Sequence, residues 1–183
     1  MKLNLGCGAN RLSGYVNVDK HGAPDVRHDL EVVPWPWDDN SVEEAVFHHV
    51  LEHLGQTPEA FIGVMKELYR VCAPGALVRI VVPHPRHDDF LGDPTHVRVV
   101  TPDVLNLFSK RLNLEWRRTG AANSPLALYH GVDFDLVELQ EVLERKYLED
   151  YESGRLTKVE LEQIISERNN VVREFRMTLK VIK

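Results

Sequence analysis

Two glycines and two carboxylates in the first thirty residues have the types and spacing of a nucleotide-binding site. The apolar run LNLGCG ends at Gly8, and glycine permits both the backbone conformations and the close approach that a bound ligand needs. Two further strand-like runs end at Asp19 and at Asp29-Leu30. Ligands of open α/β sheets bind beyond the carboxyl ends of the strands. We therefore expect Asp19 to accept hydrogen bonds from ribose hydroxyls, and Asp29 and Leu30 to lie beside a base.

The glycine pattern differs from that of NAD-binding proteins. Those proteins carry the sequence G-x-G-x-x-G, whereas Arg11 stands at the third glycine position after Gly6 and Gly8. The loop is therefore less suited to a pyrophosphate.

A histidine motif, HVLEH at residues 49–53, has the spacing H-x-x-E-H of one class of zinc protease. On a helix this spacing puts His49 and His53 on one face, as zinc ligands require. Chance matches to so short a motif are common, and such a protease does not begin with a glycine-loop α/β unit. Cys7 and Cys72 are too far apart in sequence to form a CxxC thiolate pair. We expect no tightly bound zinc, and we assign no metal ligand.

A denser group of histidines and aspartates fills the segment 84–96, PHPRHDDFLGDPTHV with its flanking residues. Three interpretations stay open: a polar loop without a special role, the substrate pocket, or a site for a divalent metal. Imidazole titrates near neutral pH, so His87 or His96 is a candidate general base. Asp88 or Asp93 is the alternative to these histidines, and Asp88 is the third catalytic candidate.

Strand and helix signals alternate along the first half of the chain, which predicts βαβ units and a largely parallel sheet. The predicted strands cover residues 3–8, 15–19, 25–30, 45–50, 76–82, 114–120 and 175–181. The predicted helices cover residues 58–72, 102–111, 135–152 and 157–168. The last strand alternates apolar and polar residues, which is typical of a half-buried antiparallel strand. The predicted fold class is α/β, with a seven-stranded, mostly parallel, Rossmann-like sheet.

Length and charge limit the possible functions. The chain has 183 residues and a formal charge of −6, divided evenly between residues 1–130 and 131–183. That length predicts one domain, and the absence of a basic stripe argues against nucleic acid as a partner. No apolar run is long enough to cross a membrane. We expect no signal peptide, no membrane partner and a cytoplasmic location, and the oligomeric state is left open.

The chain resembles the class I S-adenosylmethionine (SAM)-dependent methyltransferases, in particular the group with a GCG loop and a VLEH element. The matching segments are LNLGCG, the NVD that ends at Asp19, HDL at Asp29-Leu30, and residues 34–54 and 67–83. The resemblance implies a Rossmann-like class I methyltransferase fold with an antiparallel last strand. It also implies SAM as the cofactor and a single domain, 1–183, with a helical insertion at about 131–170.

The same resemblance implies a role for each cofactor residue. Gly6, Cys7 and Gly8 would contact the methionine part of SAM, Asp19 the ribose, and Asp29 and Leu30 the adenine. His48 or His49 would lie on the methionine side. The Asp/Asn-Pro-Pro-Tyr/Phe motif of many nitrogen methyltransferases is missing, which favours an acceptor oxygen on a small molecule or glycan. A SAM-binding sensor or partner protein without turnover is the alternative function. We expect the segment 84–96 and the region 131–170 to form the acceptor side.

Overall fold

A computed structural model describes all 183 residues, and a seven-stranded sheet runs through its centre. The strands are β1 (Lys2–Leu5), β2 (Val16–Asp19), β3 (Val26–Arg27), β4 (Val42–His48), β5 (Cys72–Pro83), β6 (Phe134–Leu143) and β7 (Val172–Val181). Their order across the sheet is β3-β2-β1-β4-β5-β7-β6. β1 to β5 pair in parallel, and β7 runs antiparallel to both of its neighbours. The predicted fold class is confirmed.

The helices are short, and most of them lie in the second half of the chain. They are α1 (Pro58–Val71), α2 (Asp88–Leu91), α3 (Pro102–Asn106), α4 (Lys110–Thr119), α5 (Leu126–His130), α6 (Arg145–Glu152) and α7 (Lys158–Glu167). A 3-10 turn, Leu51–His53, follows β4. None of the helices combines the length and the apolar character that a membrane crossing needs.

The longest helix, α1, was predicted from its sequence pattern, and the structure confirms it. The Thr57 side chain caps it by accepting a hydrogen bond from the Ala60 amide, and Pro58 occupies its first turn. Phe61, Met65 and other buried side chains at three- and four-residue steps join the core. Each buried large apolar side chain contributes roughly 1.5–3 kcal/mol. Burial of these side chains therefore anchors α1, which connects β4 to β5, to the core.

The two faces of the sheet differ in character. Phe47 and Ile80 lie on the face that belongs to the apolar core, and both are fully buried. On the opposite face, the Glu44 carboxylate lies 2.9 Å from Lys2 Nζ and 2.8 Å from Arg79 Nε. Hydrogen bonds from these two cations lower the pKa of Glu44 to about 2. This face therefore carries partly exposed ion pairs beside its apolar side chains.

No helix connects β1 to β2, and a polar network holds the connecting loop instead. Asn4 Nδ2 donates to Asn17 Oδ1 at 2.9 Å, and Asn17 Nδ2 donates to Asp25 Oδ2 at 2.8 Å. The Leu12 amide donates to Asn17 Oδ1 at 2.7 Å, and Arg11 pairs with Asp25. Hydrogen bonds from Asn17 and then Arg11 lower the pKa of Asp25 to about 2. This network positions the glycine loop.

Two of the predicted elements are wrong. Residues 114–120, predicted as a strand, belong to helix α4, which Ser109 caps and which ends at Gly120 in the left-handed conformation. Residues 135–152, predicted as one helix, contain most of β6 followed by α6. The register of β6 shifts between Leu136 and Glu138. Such a bulge breaks the two-residue alternation, so the apolar residues acquire a spacing that resembles a helix.

Two other elements are shorter than predicted. The third strand has only two residues, Val26–Arg27, because the chain leaves the sheet before Asp29. The helix predicted over 102–111 ends at Asn106, and Ser109 starts a new helix with its own cap.

Candidate functional site

A cleft of about 170 Å³ lies beyond the carboxyl ends of β1, β2 and β4. Its lining includes five of the predicted cofactor residues, Gly6, Asp19, Asp29, Leu30 and His49. The strand order reverses direction between β1 and β4, which is where open α/β sheets bind their ligands. The structure therefore brings most of the predicted cofactor residues to one place.

Gly6 forms the floor of the cleft, and no other residue type fits there. Its φ angle is +67°, and a Cβ atom on it would lie 2.5 Å from Val50 Cγ1. Val50 itself lines the cleft. The glycine therefore lets the main chain of the loop and the start of the VLEH segment meet at the base of the site.

Asp19 faces the cleft with its carboxylate held by two main-chain amides. The Gly8 amide donates to Oδ2 and the His21 amide donates to Oδ1, each at 2.8 Å. A carboxylate oxygen can accept more than one hydrogen bond, so each oxygen keeps capacity for a ligand hydroxyl. The geometry suits a pair of neighbouring hydroxyls. Gly8 does not line the cleft and contributes by orienting Asp19.

Cys7 and His48 line a second cavity, which shares Gly6 with the first and lies on the other side of the loop. The Cys7 amide donates to the Val18 carbonyl at 2.9 Å, so the residue continues the sheet hydrogen bonding. Burial is the main cause that raises the pKa of the Cys7 thiol. His48 is exposed at the end of β4. The structure thus separates these two predicted residues from the cleft.

Beside Asp29 and Leu30, some polar groups of the cleft have partners within the protein and one does not. Leu30 is buried, and its carbonyl accepts a hydrogen bond from the Trp35 indole at 2.9 Å. Asp29 lies 3.5 Å from Lys20 Nζ. His28 also lines the cleft, and its buried Nε2 has no hydrogen-bond partner. A buried polar atom without a partner is costly, and this nitrogen has none in the protein.

His49 stands where β4 leaves the sheet, with the φ angle of +56° that is uncommon for residues other than glycine. Its Nδ1 lies 3.3 Å from a Glu52 carboxylate oxygen, and its Nε2 lies 3.3 Å from one of Glu174. Both carboxylates raise the pKa of His49, and Glu52 has the larger effect. The cleft therefore carries an imidazole whose pKa is raised above its usual value.

Of the three predicted catalytic residues, the structure brings one, His96, beside the cleft. The His96 and His53 rings are 4.6 Å apart, and His53 lines the cleft. His96 Nδ1 lies 2.9 Å from the Phe90 carbonyl, and its ring stacks on Phe90. This contact fixes the ring and leaves Nε2 as its second polar atom.

The other two catalytic candidates, His87 and Asp88, do not line the cleft. The buried His87 ring accepts a hydrogen bond from the Asp89 amide at Nδ1, which caps α2. Its Nε2 lies 3.1 Å from Glu144. Asp88 is exposed, and its amide donates to the Asn170 side chain at 2.8 Å. Both ring nitrogens of His87 are therefore committed to structural contacts.

No protein-family model matches the chain, and no curated protein matches it. Solved structures do match. A SAM-dependent methyltransferase from Archaeoglobus fulgidus superposes with a TM-score of 0.63 at 17% identity, over 98% of this chain and 85% of that one. The chain has the class I methyltransferase fold.

Two further structures show how widely the class I methyltransferase fold is used. The 1,6-didemethyltoxoflavin-N1-methyltransferase of Burkholderia thailandensis, solved with its substrate and S-adenosylhomocysteine, gives a TM-score of 0.55 at 14% identity, over 100% of this chain and 71% of that one. The [4+2]-cyclase SpnF gives a TM-score of 0.52 at 13% identity, over 99% and 74%. None of these matches distinguishes the narrower GCG-loop and VLEH group.

Several cleft residues were not predicted from the sequence as cofactor or catalytic residues. Lys20, His28 and His53 line the cleft, and Glu174 contacts His49 from β7. Only His53 had a signal in the sequence, the H-x-x-E-H spacing. Glu174 reaches the site because β7 is antiparallel, which puts the start of that strand beside the carboxyl end of β5.

Proposed function

We propose that the chain binds SAM in the cleft and transfers its methyl group to an oxygen atom of a small molecule or glycan. The observation that carries this proposal is the Asp19 carboxylate, held by two amides beside Gly6 at the carboxyl edge of the sheet. The class I methyltransferase fold and a neighbour solved with S-adenosylhomocysteine support it.

The residues of the cleft fit the parts of SAM. In this proposal Asp19 accepts hydrogen bonds from the ribose hydroxyls, and Gly6 gives the ligand access to the main chain. Leu30, Asp29 and the unpartnered His28 nitrogen surround the adenine. His49 lies on the methionine side. Cys7, Gly8 and His48 then act indirectly, by shaping the loop and the strand end.

SAM supplies a methyl group that its sulfonium already activates, so the protein has mainly to align the acceptor. Alignment alone is powerful, because well-oriented groups reach effective molarities of about 10⁵–10⁸ M. A hydroxyl acceptor must also lose a proton. His96 is the residue that we assign to accept it, since its Nδ1 is fixed by the Phe90 carbonyl and its Nε2 is not bonded to the main chain.

The proposal of an oxygen acceptor is based on the side chains near the end of β4. That strand ends in His48-His49, with imidazoles and carboxylates around the cleft. Such groups suit proton removal from an oxygen. The net charge of −6 without a basic stripe favours a small-molecule or glycan acceptor over nucleic acid, and we also propose a cytoplasmic location without a membrane partner.

A second candidate function is SAM binding without methyl transfer, as a sensor or as a partner of another enzyme. It is favoured by one observation, that a protein described as a [4+2]-cyclase shares this fold. Incubation with labelled SAM and a metabolite extract separates the two candidates. A labelled product detected by mass spectrometry supports methyl transfer, whereas tight binding without any labelled product supports the second candidate.

Calorimetric titration of SAM, S-adenosylhomocysteine and NAD tests the binding site directly. We expect heat with the first two ligands and none with NAD. Asp19→Ala should weaken SAM binding by about 1.5–3 kcal/mol, the usual contribution of a charge-assisted hydrogen bond. Asp103→Ala is the matched control, because Asp103 is an exposed carboxylate outside the cleft. Unchanged SAM affinity in correctly folded Asp19→Ala would contradict the proposed ribose site.

A further inference from the structure

We propose that Glu52, His53 and His96 bind a divalent transition-metal ion beside the cleft. One ligand atom from each residue can be chosen so that all three lie within 4.8 Å of one another. Two imidazoles and one carboxylate form a common protein ligand set for such metals. The binding itself does not depend on the proposed methyl transfer.

Two segments that are distant in sequence form the cluster. Glu52 and His53 belong to the 3-10 turn after β4, and His96 belongs to the loop after α2. The Glu52 carbonyl accepts hydrogen bonds from the Val97 amide at 2.9 Å and the Arg98 amide at 3.0 Å. These two bonds attach the loop to the turn directly next to His96. The cluster is thus held by main-chain contacts and not by the side chains that would bind the metal.

The two imidazoles make their hydrogen-bond contacts at Nδ1, and the Asp93 carboxylate lies 3.8 Å from His96 Nε2, beyond hydrogen-bond distance. His96 Nδ1 lies 2.9 Å from the Phe90 carbonyl, so it carries the proton and Nε2 keeps its lone pair. His53 Nδ1 lies 3.0 Å from Thr95 Oγ1 and 3.3 Å from the Thr95 carbonyl. Metal-binding histidines are usually oriented by a contact of this kind at the other ring nitrogen. In this proposal both rings bind the ion through Nε2.

The Glu52 side chain is the second, independent indication of a ligand. It is 1% exposed, and neither of its carboxylate oxygens accepts a hydrogen bond. Its one ion-pair contact is with His49 Nδ1, at 3.3 Å. A buried carboxylate without hydrogen bonds is costly unless a cation compensates it. Protonation of His49, 3.3 Å away, supplies part of that compensation without a hydrogen bond, and a divalent ion between Glu52 and the two imidazoles would add direct contacts to the carboxylate oxygens.

The chemistry of the ligands selects the class of metal. Imidazole suits zinc and the neighbouring transition metals, whereas Mg²⁺ and Ca²⁺ prefer oxygen ligands alone. Ligand atoms about 2.1 Å from a tetrahedral zinc are roughly 3.4 Å apart. The ligand atoms lie within 4.8 Å of one another, so the cluster must close by at most about 1.4 Å to reach this geometry, and His53 is partly exposed. Three protein ligands leave at least one position for water or a substrate oxygen.

The proposal departs from the expectation, drawn from the sequence, of no tightly bound zinc, and the cluster differs from the zinc site that the H-x-x-E-H spacing describes. That site pairs His49 with His53 on one α-helix, but residues 51–53 form a 3-10 turn and His49 has a positive φ angle. In the proposed cluster, the second imidazole ligand is His96 and not His49. In the proposed methyl transfer, a bound ion would take the place of His96 as the group that activates the acceptor: His96 Nε2 would be a ligand and not a base, and the ion would lower the pKa of a coordinated acceptor hydroxyl. This last consequence rests on the proposed function.

Metal titration of the chelator-treated full chain, without SAM, tests the site. We expect one Zn²⁺ or Co²⁺ per chain by calorimetry, and a visible Co²⁺ absorption band. His96→Ala and Glu52→Gln should each weaken binding at least about 10-fold, since even indirect contacts to metal ligands are worth 10–100-fold. His130→Ala is the control and should bind as the wild type does. If Glu52→Gln fails to fold, His53→Ala at the cleft wall takes its place.

Two results would overturn the proposal: no stoichiometric binding of either ion, or equal affinity in wild type, His96→Ala and His53→Ala. The outcome is independent of the proposed function, because SAM binding is measured on the metal-free chain. Loss of SAM binding in Asp19→Ala together with normal Co²⁺ binding would separate the two sites.

Discussion

Two groups of histidines lie near the same edge of the sheet: a buried group, His84 and His87, and a cleft group, His49, His53 and the adjacent His96. Their ring nitrogens are used in different ways. In the buried group, main-chain amides donate to Nδ1 of His84 at 3.1 Å and of His87 at 3.0 Å. In the cleft group, His96 Nδ1 instead faces a main-chain carbonyl, and so does Nδ1 of His53. The first arrangement puts the ring proton of His84 and His87 on Nε2. The second puts the ring proton of His96 on Nδ1 and leaves its Nε2 with a lone pair.

The difference shows that the neighbouring main chain, and not the residue type, decides what a histidine can do. An amide two residues later turns His84 and His87 into acceptors that shape local structure. A carbonyl turns His96 into a residue that can accept a proton or bind a metal at Nε2. Both groups look alike in the sequence, where His84, His87 and His96 belong to one segment.

The largest expected effect is on turnover, and it separates His96 from His87. His96→Ala should lower methyl transfer about 10²–10⁴-fold, the usual contribution of a general base. His87→Ala should change turnover much less, because both of its ring nitrogens are held by structural contacts. The assay uses labelled SAM with the acceptor that the metabolite screen identifies.

Calorimetry with SAM is the control for this pair of variants, and both should keep nearly wild-type affinity because neither residue lines the cleft. Equal turnover in the two variants would remove the functional distinction between the groups. A larger loss in His87→Ala would show that the base lies in the buried group.

The fold could be predicted where local pattern and long-range pairing agree. The strand that ends at Asp19, helix α1 with its Thr57 cap, and the alternating β7 all combine strong periodicity with clear ends. The β6 bulge was not predictable from periodicity, because the shift appears only when β6 pairs with β7. Helix α4 likewise depends on its Ser109 cap and the left-handed Gly120.

The candidate site likewise contains residues that local sequence features predict and residues that only tertiary contacts bring together. Gly6 and Asp19 were predictable because a glycine loop and a carboxylate at strand ends are local features. The contact of Glu174 with His49 and the approach of His96 to Glu52 depend on tertiary contacts across more than forty residues. The tautomers of the histidines depend on which main-chain group lies beside each ring, and no spacing in the sequence encodes that.

A smaller effect concerns stability. His87→Ala should lower the free energy of unfolding by about 1–2 kcal/mol, because it removes the cap of α2 and a partner of Glu144. His53→Ala should change it by less than about 0.5 kcal/mol, as expected for a partly exposed position. Urea unfolding at pH 7.5 measures both values. A larger decrease in the free energy of unfolding for His53→Ala would mean that His53 also stabilises the fold.

The smallest expected effect is a difference in how the two groups respond to pH. Contacts with Glu52 and Glu174 raise the pKa of His49, so its stabilising contribution is full below the unfolded value near 6.5 and disappears as the pH rises through the folded pKa. Burial, with Arg86 and His87, lowers the pKa of His84, so acidification below 6.5 destabilises the fold through this residue.

Urea unfolding of wild type, His49→Gln and His84→Gln at pH 8 and pH 5.5 isolates these two contributions. Between pH 8 and pH 5.5, the stability of wild type relative to His49→Gln should increase, because only the wild type gains from binding a proton in the folded state. Over the same interval, the stability of wild type relative to His84→Gln should decrease, because the folded state resists protonation of His84. Subtracting each variant from the wild type cancels the carboxylates that titrate in all three proteins. A decrease for both variants would show that burial, and not the neighbouring carboxylates, controls His49 as well.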